Sequence, residues 1–85
     1  MAKKFKELQF KVLIEQDENG VYVASVPELH GCYTQGGTVE EVRERIREVI
    51  ELVLESDDDA RQDKLEHPNT SRFFGIEDVT IQSYA

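Results

Sequence analysis

The spacing of apolar residues changes abruptly in the middle of this chain. Between Leu8 and Ile14 they alternate with polar residues, which is the period of a β-strand with one buried face. Between Val39 and Val53 they recur every three or four residues, which is the period of an amphipathic α-helix. The change falls on Gly36-Gly37-Thr38. A chain with this order is expected to form a small sheet first and then to cover it with a helix.

Turn residues divide the part before the helix into three predicted strands. Residues 8–15 end at a polar break that contains Asn19-Gly20, a dipeptide typical of tight β-hairpins. Residues 21–26 form the second strand, and Pro27 ends its pairing because proline has no N–H to donate. Residues 32–35 are predicted as a short third strand. The expected structural positions of this region are Pro27, Gly31, Cys32, Gly36 and Gly37.

The helix start has the pattern of a capping box. The hydroxyl of Thr38 is expected to accept the backbone N–H of Glu41, whose carboxylate reaches back to the N–H of Thr38. On the outer face, Glu41 and Arg45 are spaced as an ion pair at i,i+4, and Glu44 and Arg47 at i,i+3. These signals make the helix the most strongly specified element of the chain.

The acidic run at residues 56–59 is predicted to end this helix, because negative charge at a helix C-terminus opposes the helix dipole. Residues 60–66 are expected to add one or two turns. Residues 76–83 alternate like a strand, with Val79 and Ile81 facing inward.

The predicted order is β-β-β-α-β, an α+β fold with one helix packed on one face of a small mixed sheet. A crossover helix returns the last strand parallel to an earlier one. The other face would carry Leu13 and Tyr33, and an apolar open face usually marks a partner. We expect residues 1–85 to form one domain, with no room for a separate DNA-binding domain after the helix.

Composition narrows the classes of partner. The net charge of the 85 residues is −8, and most of it falls within residues 38–85. An acidic surface repels nucleic acid and anionic membranes and favours a basic partner. No apolar run approaches the roughly 20 residues of a membrane span. A single cysteine forms no internal disulfide and fits a reducing cytoplasm. Since so small a domain is marginal alone, a homodimer or higher homo-oligomer is predicted.

The stretch from Gly31 to Thr38 has the outline of a phosphate-binding loop, but its chemistry argues against one. Gly37 stands where that loop needs the lysine that contacts phosphate. Glu40 and Glu41 occupy the first helical turn, where an anion would otherwise bind. We therefore expect the glycines to permit the turn from strand to helix through their conformational freedom.

The sequence gives only weak indications of a nucleophile pair, a zinc site or a metal-dependent hydrolase. His30 and Cys32 could make contact in an extended segment, but no third residue is marked to orient the pair, and a buried cysteine is the favoured interpretation. With His67 they supply at most three zinc ligands without a spacing signature. Asp17 and Asp78 could serve a residual metal-dependent hydrolase, the least favoured hypothesis. No catalytic residue, metal or cofactor is predicted.

Two segments together resemble a known family. Val26-Pro27-Glu28-Leu29-His30-Gly31-Cys32, followed by Gly36-Gly37-Thr38-Val39-Glu40-Glu41 and an acidic helix, is similar to the HicB-like antitoxin family. The resemblance covers residues 8–56. Two positions depart from the family pattern: Gly37 stands where Asp or Glu is common, and Val42 where Ala is common.

The resemblance implies a partial ribonuclease-H-like fold without nuclease activity. It also implies a partner, a small basic HicA-like toxin that cleaves mRNA and whose catalytic surface the antitoxin covers. The alternative is a stand-alone, self-associating domain with an unknown ligand and no toxin. The candidate contacts with a partner are Tyr33, Gln35, Glu44, Glu48 and Glu51.

Overall fold

The computed structural model describes residues 7–68 and 75–84. Within these ranges the chain forms three strands followed by two helices, an α+β architecture. The elements are β1 (Leu13–Gln16), β2 (Tyr22–Ser25), β3 (Tyr33–Gly36), α1 (Val39–Ser56) and α2 (Asp58–Glu66).

The described strands form one antiparallel sheet in the order β1-β2-β3. Ala24 pairs with Ile14 on one side and with Thr34 on the other. Since Ala24 is fully buried, this register places Ile14 and Thr34 on the face that meets the core. The predicted mixed sheet is wrong for the described strands, which pair only in antiparallel fashion.

The predicted hairpin between β1 and β2 is confirmed, and a side chain organises it. One carboxylate oxygen of Asp17 accepts the backbone N–H groups of Asn19 and Val21, each at 2.9 Å. Gly20 has a φ of 83°, in the left-handed region that glycine adopts without steric cost. The Asn-Gly signal therefore identified the turn, and Asp17 holds it closed.

A compact loop joins β2 to β3. The N–H of Val26 donates to the carbonyl of Cys32 at 3.0 Å, and the N–H of Leu29 donates to the carbonyl of Val26 at 3.1 Å. Gly31 has a φ of 72°, which favours glycine at this position of the loop. Strand pairing ends at Ser25, one residue earlier than predicted, and the loop folds Leu29 into the core.

Helix α1 covers the sheet with the predicted apolar stripe. It packs over β3 and β2, and it leaves the β1 side of the sheet largely uncovered. Val42 and Ile46 are its buried residues, and Val49, Ile50 and Val53 pack against them. The buried core consists of Ala24, Val26, Leu29, Cys32, Val42 and Ile46.

Helix α2 is longer than the one or two turns predicted. Asp57 ends α1, and its side chain accepts the N–H of Ala60 at 3.0 Å, so the same residue caps the start of α2. Asp58 and Asp59 lie in the first turn of α2, where the positive end of the helix dipole stabilises them. The acidic run at residues 56–59 therefore contains both the end of α1 and the start of α2. Neither described helix is long and apolar enough to cross a membrane.

The predicted last strand is not formed. Residues 76–83 have no regular secondary structure, and Val79 and Ile81 are 74% and 77% exposed rather than inward-facing. Residues 8–12, predicted to open β1, also lie outside the strand ladder. Alternation indicates that a segment can form a strand, but a strand also needs a partner, and residues 76–83 pair with no strand of the described sheet. The β-β-β-α-β order and the ribonuclease-H-like sheet are therefore not seen in the described part.

Candidate partner-binding surfaces

The turn into α1 is closed by its own side chains. The hydroxyl of Thr38 accepts the N–H of Glu41 at 3.1 Å, as predicted. The returning bond differs from the prediction, because the Glu41 carboxylate accepts the N–H of Gly37 at 3.1 Å rather than that of Thr38. This carboxylate occupies the position beside a backbone N–H where a phosphate loop would hold its anion.

Gly36 is required for a reason that the sequence did not show. Gly36 and Gly37 do not have the positive φ angles that conformational freedom was expected to provide. Instead, a Cβ on Gly36 would lie 3.2 Å from the backbone nitrogen of Val42, closer than side chains normally pack. A Cβ on Gly37 would meet only the flexible Glu41 carboxylate, at 3.5 Å. The strand and the first turn of α1 thus meet backbone to backbone at Gly36.

Arg45 ties α1 to the edge of the sheet. Its guanidinium pairs with the Glu41 carboxylate and donates to the carbonyl of Gln35 at 2.7 Å. The i,i+4 pair predicted from the sequence is confirmed and gains a second partner on β3. The predicted pair between Glu44 and Arg47 is wrong, because no ion pair joins them among the described residues.

Cys32 and His30 do not form a nucleophile pair. Cys32 is 3% exposed and belongs to the core, whereas His30 is exposed in the loop. Burial raises the pKa of the Cys32 thiol above its ordinary value of 9.0, because the low-dielectric surroundings disfavour the thiolate. A protonated, inaccessible thiol is a packing residue rather than a nucleophile.

The carboxylates do not assemble a metal site in the described ranges, where no three His, Cys, Asp or Glu residues cluster for that purpose. Asp17 uses its carboxylate to hold the hairpin turn. Asp78 is exposed in the C-terminal part of the chain. The geometry therefore gives the hydrolase hypothesis no support.

Tyr33 and Gln35 lie on the face of the sheet opposite α1. They pair with Ser25 and Val23 respectively, so they alternate with the inward-facing Thr34. Tyr33 is 68% exposed. This open sheet face also carries the half-buried Leu13, as predicted. It offers an aromatic and aliphatic surface with polar neighbours, a composition that suits a protein contact.

Glu44, Glu48 and Glu51 form an acidic row on the outer face of α1. Spacings of three and four residues align the three side chains, and all three are exposed. The row points away from the sheet, since Val42 and Ile46 face inward. The structure therefore separates the five candidate contacts into two groups on opposite sides of the domain.

One buried ion pair, between Lys64 and Glu28, was not predicted from the sequence. The Lys64 ammonium is 2.7 Å from the Glu28 carboxylate, and their side chains are only 6% and 9% exposed. The same ammonium lies 4.7 Å from the centroid of the Phe10 ring and donates to the carbonyl of Pro68 at 3.1 Å. This cluster fixes α2 against the loop after β2. A lysine in a polar segment carries no sequence signal of burial, and its partner is distant in sequence.

An apolar groove runs between the β1 side of the sheet and α1. It encloses about 1040 Å³ and exists because α1 packs over β2 and β3 and leaves β1 largely uncovered. Its floor is the alternating set recognised in the sequence. The lining residues are Leu8, Phe10, Val12, Ile14, Arg43, Ile46, Arg47, Ile50, Glu51, Leu54 and Glu55.

Comparison with known proteins decides the family. Residues 10–73 match the HicB-like antitoxins of bacterial toxin–antitoxin systems. The chain belongs to the HicB-like antitoxin family. The match spans all five described elements, so the hairpin, the capped helix α1 and helix α2 all lie within the HicB-like region.

Relatives of this HicB-like chain occur in bacteria and archaea. The UPF0150 protein ssr1258 of Synechocystis is 47% identical over 73 residues, which cover 86% of this chain and 94% of the relative. A UPF0150 protein of Thermotoga maritima is 36% identical over 75 residues, covering 87% and 91%. One from Archaeoglobus fulgidus is 50% identical over 48 residues, covering 56% and 70%. No solved structure matches the chain.

Proposed function

We propose that this chain is an antitoxin-like binding module, rather than an enzyme, that neutralises a small basic HicA-like mRNA interferase in the cytoplasm. The observation that carries the proposal is the match of residues 10–73 to the HicB-like antitoxins. The module acts by covering the catalytic surface of the toxin. A net charge of −8 supports a cationic partner, because opposite potentials accelerate association.

The acidic row of α1 is the first proposed contact surface. Glu44, Glu48 and Glu51 lie on the exposed face of the best-anchored helix, so little side-chain and backbone order has to be created on binding. A ribonuclease that binds an RNA backbone needs a positive surface. The row would compete with RNA for that positive surface.

The open sheet face is the second proposed contact surface. Tyr33 supplies an exposed aromatic anchor and Gln35 a hydrogen-bonding side chain beside it. Because this face and the acidic row point in opposite directions, one small toxin is expected to depend mainly on one of them. Variants that disable each face separately therefore identify the surface in use.

The test is an RNA cleavage assay with the toxin encoded beside this chain. Cleavage should fall to background at molar equivalence of the chain. The variant Glu44→Lys/Glu48→Lys/Glu51→Lys should weaken inhibition at least about tenfold if the row binds, as expected for loss of several charge contacts. Tyr33→Ala/Gln35→Ala should do so if the open sheet face binds.

The matched control is Glu7→Lys/Glu18→Lys/Glu66→Lys, which makes the same change in net charge at scattered exposed sites. It should inhibit like the wild type, apart from slower association at low salt. Undiminished cleavage at a molar excess of wild-type chain would refute neutralisation.

A self-associating domain is the second candidate function, and the open apolar groove beside β1 favours it. On this proposal the chain forms homo-oligomers with or without a toxin. The neighbouring reading frame separates the two candidates, since a short basic frame is required by the first and not by the second.

A further inference from the structure

The hairpin turn between β1 and β2 contains Asn19-Gly20, the only Asn-Gly dipeptide in the 85 residues. Both residues are exposed. Asparagine is a thermally labile residue, and a following glycine increases that lability because it has no Cβ to hinder the approach of its nitrogen to the Asn19 side chain. The other asparagine, Asn69, precedes Thr70, whose branched side chain hinders the same approach. Position 19 is therefore where this chain is most open to spontaneous modification.

The reaction at this position is deamidation through a cyclic imide. The Gly20 nitrogen gives its proton to a base in the solvent and forms a bond to Cγ of Asn19. The bond from Cγ to Nδ2 then breaks, and the leaving nitrogen takes up a proton and departs as ammonia. Water opens the imide at one of its two carbonyl carbons. The product is an aspartate, or an isoaspartate in which the main chain runs through Cγ.

The closed hairpin holds the Gly20 nitrogen away from this reaction through Asp17. The N–H of Gly20 donates to the Asp17 carbonyl at 3.1 Å. The Asp17 carboxylate accepts the N–H groups of Asn19 and Val21, the residues on either side, at 2.9 Å each. Attack requires the Gly20 nitrogen to leave its carbonyl and to become negatively charged beside this carboxylate, where like charges repel. The Gln16 amide also donates to the Gly20 carbonyl at 3.3 Å, so formation of the imide requires the turn to open.

Modification would in turn hinder closure of the hairpin. An isoaspartate adds an atom to the main chain before Gly20, which moves the Val21 N–H away from the Asp17 carboxylate. Both products also place a new carboxylate beside Asp17 and Glu18, where like charges repel. The paired residues of β1 and β2 begin directly beyond this turn. A loosened turn therefore removes the constraint that sets the register of the two strands.

We propose that Asn19 is a deamidation site controlled by the β1–β2 turn, and that Asp17 is the positioning residue that withholds the Gly20 nitrogen while the turn is closed. Each opening of the turn exposes the site to conversion, and each conversion hinders reclosure. The modified fraction of the chain is therefore a lasting record of how often the hairpin has opened. This inference goes beyond toxin neutralisation and requires no toxin.

The first test follows conversion at position 19 of the purified full chain by peptide mass spectrometry. Water labelled with heavy oxygen ensures that only conversion during the incubation is counted. Asp17→Ala should raise the rate about tenfold, because the turn loses hydrogen bonds to a charged group. Asp17→Asn keeps an oxygen that can accept the same N–H groups and should convert at an intermediate rate.

The matched control is Glu18→Ala, which removes the same charge from the adjacent residue. The described bonds of the turn do not use the Glu18 side chain, so this variant should convert at the wild-type rate. A Glu18→Ala rate as high as that of Asp17→Ala would show that charge near Asn19, rather than the Asp17 hydrogen bonds, controls the reaction, and would overturn the role of Asp17.

The second measurement repeats the incubation in concentrated urea, where the turn is unfolded in every variant. All variants should then convert at one rate, faster than the folded wild type, because the protection belongs to the closed turn. Circular dichroism without urea shows which variants fold, and if Asp17→Ala does not, Asp17→Asn decides the test. The proposal is overturned if the folded wild type converts as fast as in urea, or if the folded Asp17 variants convert no faster than the wild type.

The third measurement compares the modified and unmodified chains, which anion exchange separates because both products carry an additional negative charge. Urea denaturation should give a lower free energy of unfolding for the modified chain. Equal values would overturn the claim that conversion hinders closure. None of these measurements involves a toxin, so their failure leaves the proposed neutralisation untouched.

Discussion

At the scale of single residues, Gly36 and Gly37 look equivalent in the sequence but have different surroundings. Gly36→Ala should lower the free energy of unfolding by about 1–2 kcal/mol, because the new methyl group presses on the backbone of Val42. Gly37→Ala should change it by less than about 1 kcal/mol, because the Glu41 side chain can move aside. Urea denaturation of the two variants measures the difference. Equal losses would mean that backbone approach at Gly36 is not the constraint.

Because of Cys32, the free energy of unfolding of the domain should decrease at alkaline pH. Because burial raises the pKa of the folded-state thiol, the unfolded chain loses this proton first as pH rises. The stabilising contribution of the protonated Cys32 thiol is present in full below the pKa that this thiol has in the unfolded chain. It is lost as pH rises toward the pKa of the thiol in the folded chain. Wild type should therefore lose stability above pH 9.0 more steeply than Cys32→Ala. Parallel curves from denaturation at pH 7 to 10 would contradict this.

At the scale of elements, the Lys64–Glu28 pair decides how α2 is held. Glu28→Gln should destabilise the domain by about 3 kcal/mol, because it leaves a buried ammonium without its counter-charge. Lys64→Met should have a similar cost, and Glu28→Gln/Lys64→Met should cost less than the two together. A double-mutant cycle by thermal or urea denaturation measures this coupling.

The exposed pair between Arg61 and Asp58, also on α2, is the matched control. Its atoms are 3.0 Å apart, but the side chains are 49% and 81% exposed. Arg61→Met should cost less than about 0.5 kcal/mol, because solvent screens such pairs. Similar losses at the two pairs would argue that burial does not strengthen the Lys64 contact.

The elements that the sequence predicted well are those with local signals. The hairpin follows from Asn19-Gly20, and the start of α1 from Thr38 and Glu41, all within a few residues of the structure they specify. The failures involve partners distant in the chain. The alternation at 76–83 does not name the edge it pairs with, and Lys64 finds Glu28 36 positions away.

The same difference between local and distant signals applies to the candidate surfaces. Helical periodicity correctly places Glu44, Glu48 and Glu51 together on the outer face of α1. Helical periodicity does not give the position of these glutamates relative to Tyr33, because the orientation of the helix over the sheet depends on tertiary packing. The groove was missed for the same reason, although its floor residues were identified as one strand face.

At the scale of the whole molecule, the self-association proposed above would couple folding to protein concentration. If copies associate through the apolar groove beside β1, the midpoint of thermal unfolding should rise as protein concentration increases, since association stabilises the folded state by mass action. Leu54→Asp should abolish this dependence and leave the domain folded, because Leu54 lines the groove and lies outside the described core. Circular dichroism melts over a hundredfold range of concentration provide the measurement. A wild-type midpoint independent of concentration would contradict the coupling.

The two edge strands of the sheet, β1 and β3, differ in how open they are to the addition of another strand. Arg45 already occupies the carbonyl of Gln35 on β3, so that margin has a bound guanidinium where a foreign strand would seek an acceptor. The structure places no such side-chain donor on β1 within the residues it describes, so the β1 edge is the more open of the two. A sheet whose two edges both accept strands can extend from copy to copy into a fibre. The Arg45 guanidinium therefore makes strand addition at the β3 edge less favourable and works against such open-ended assembly.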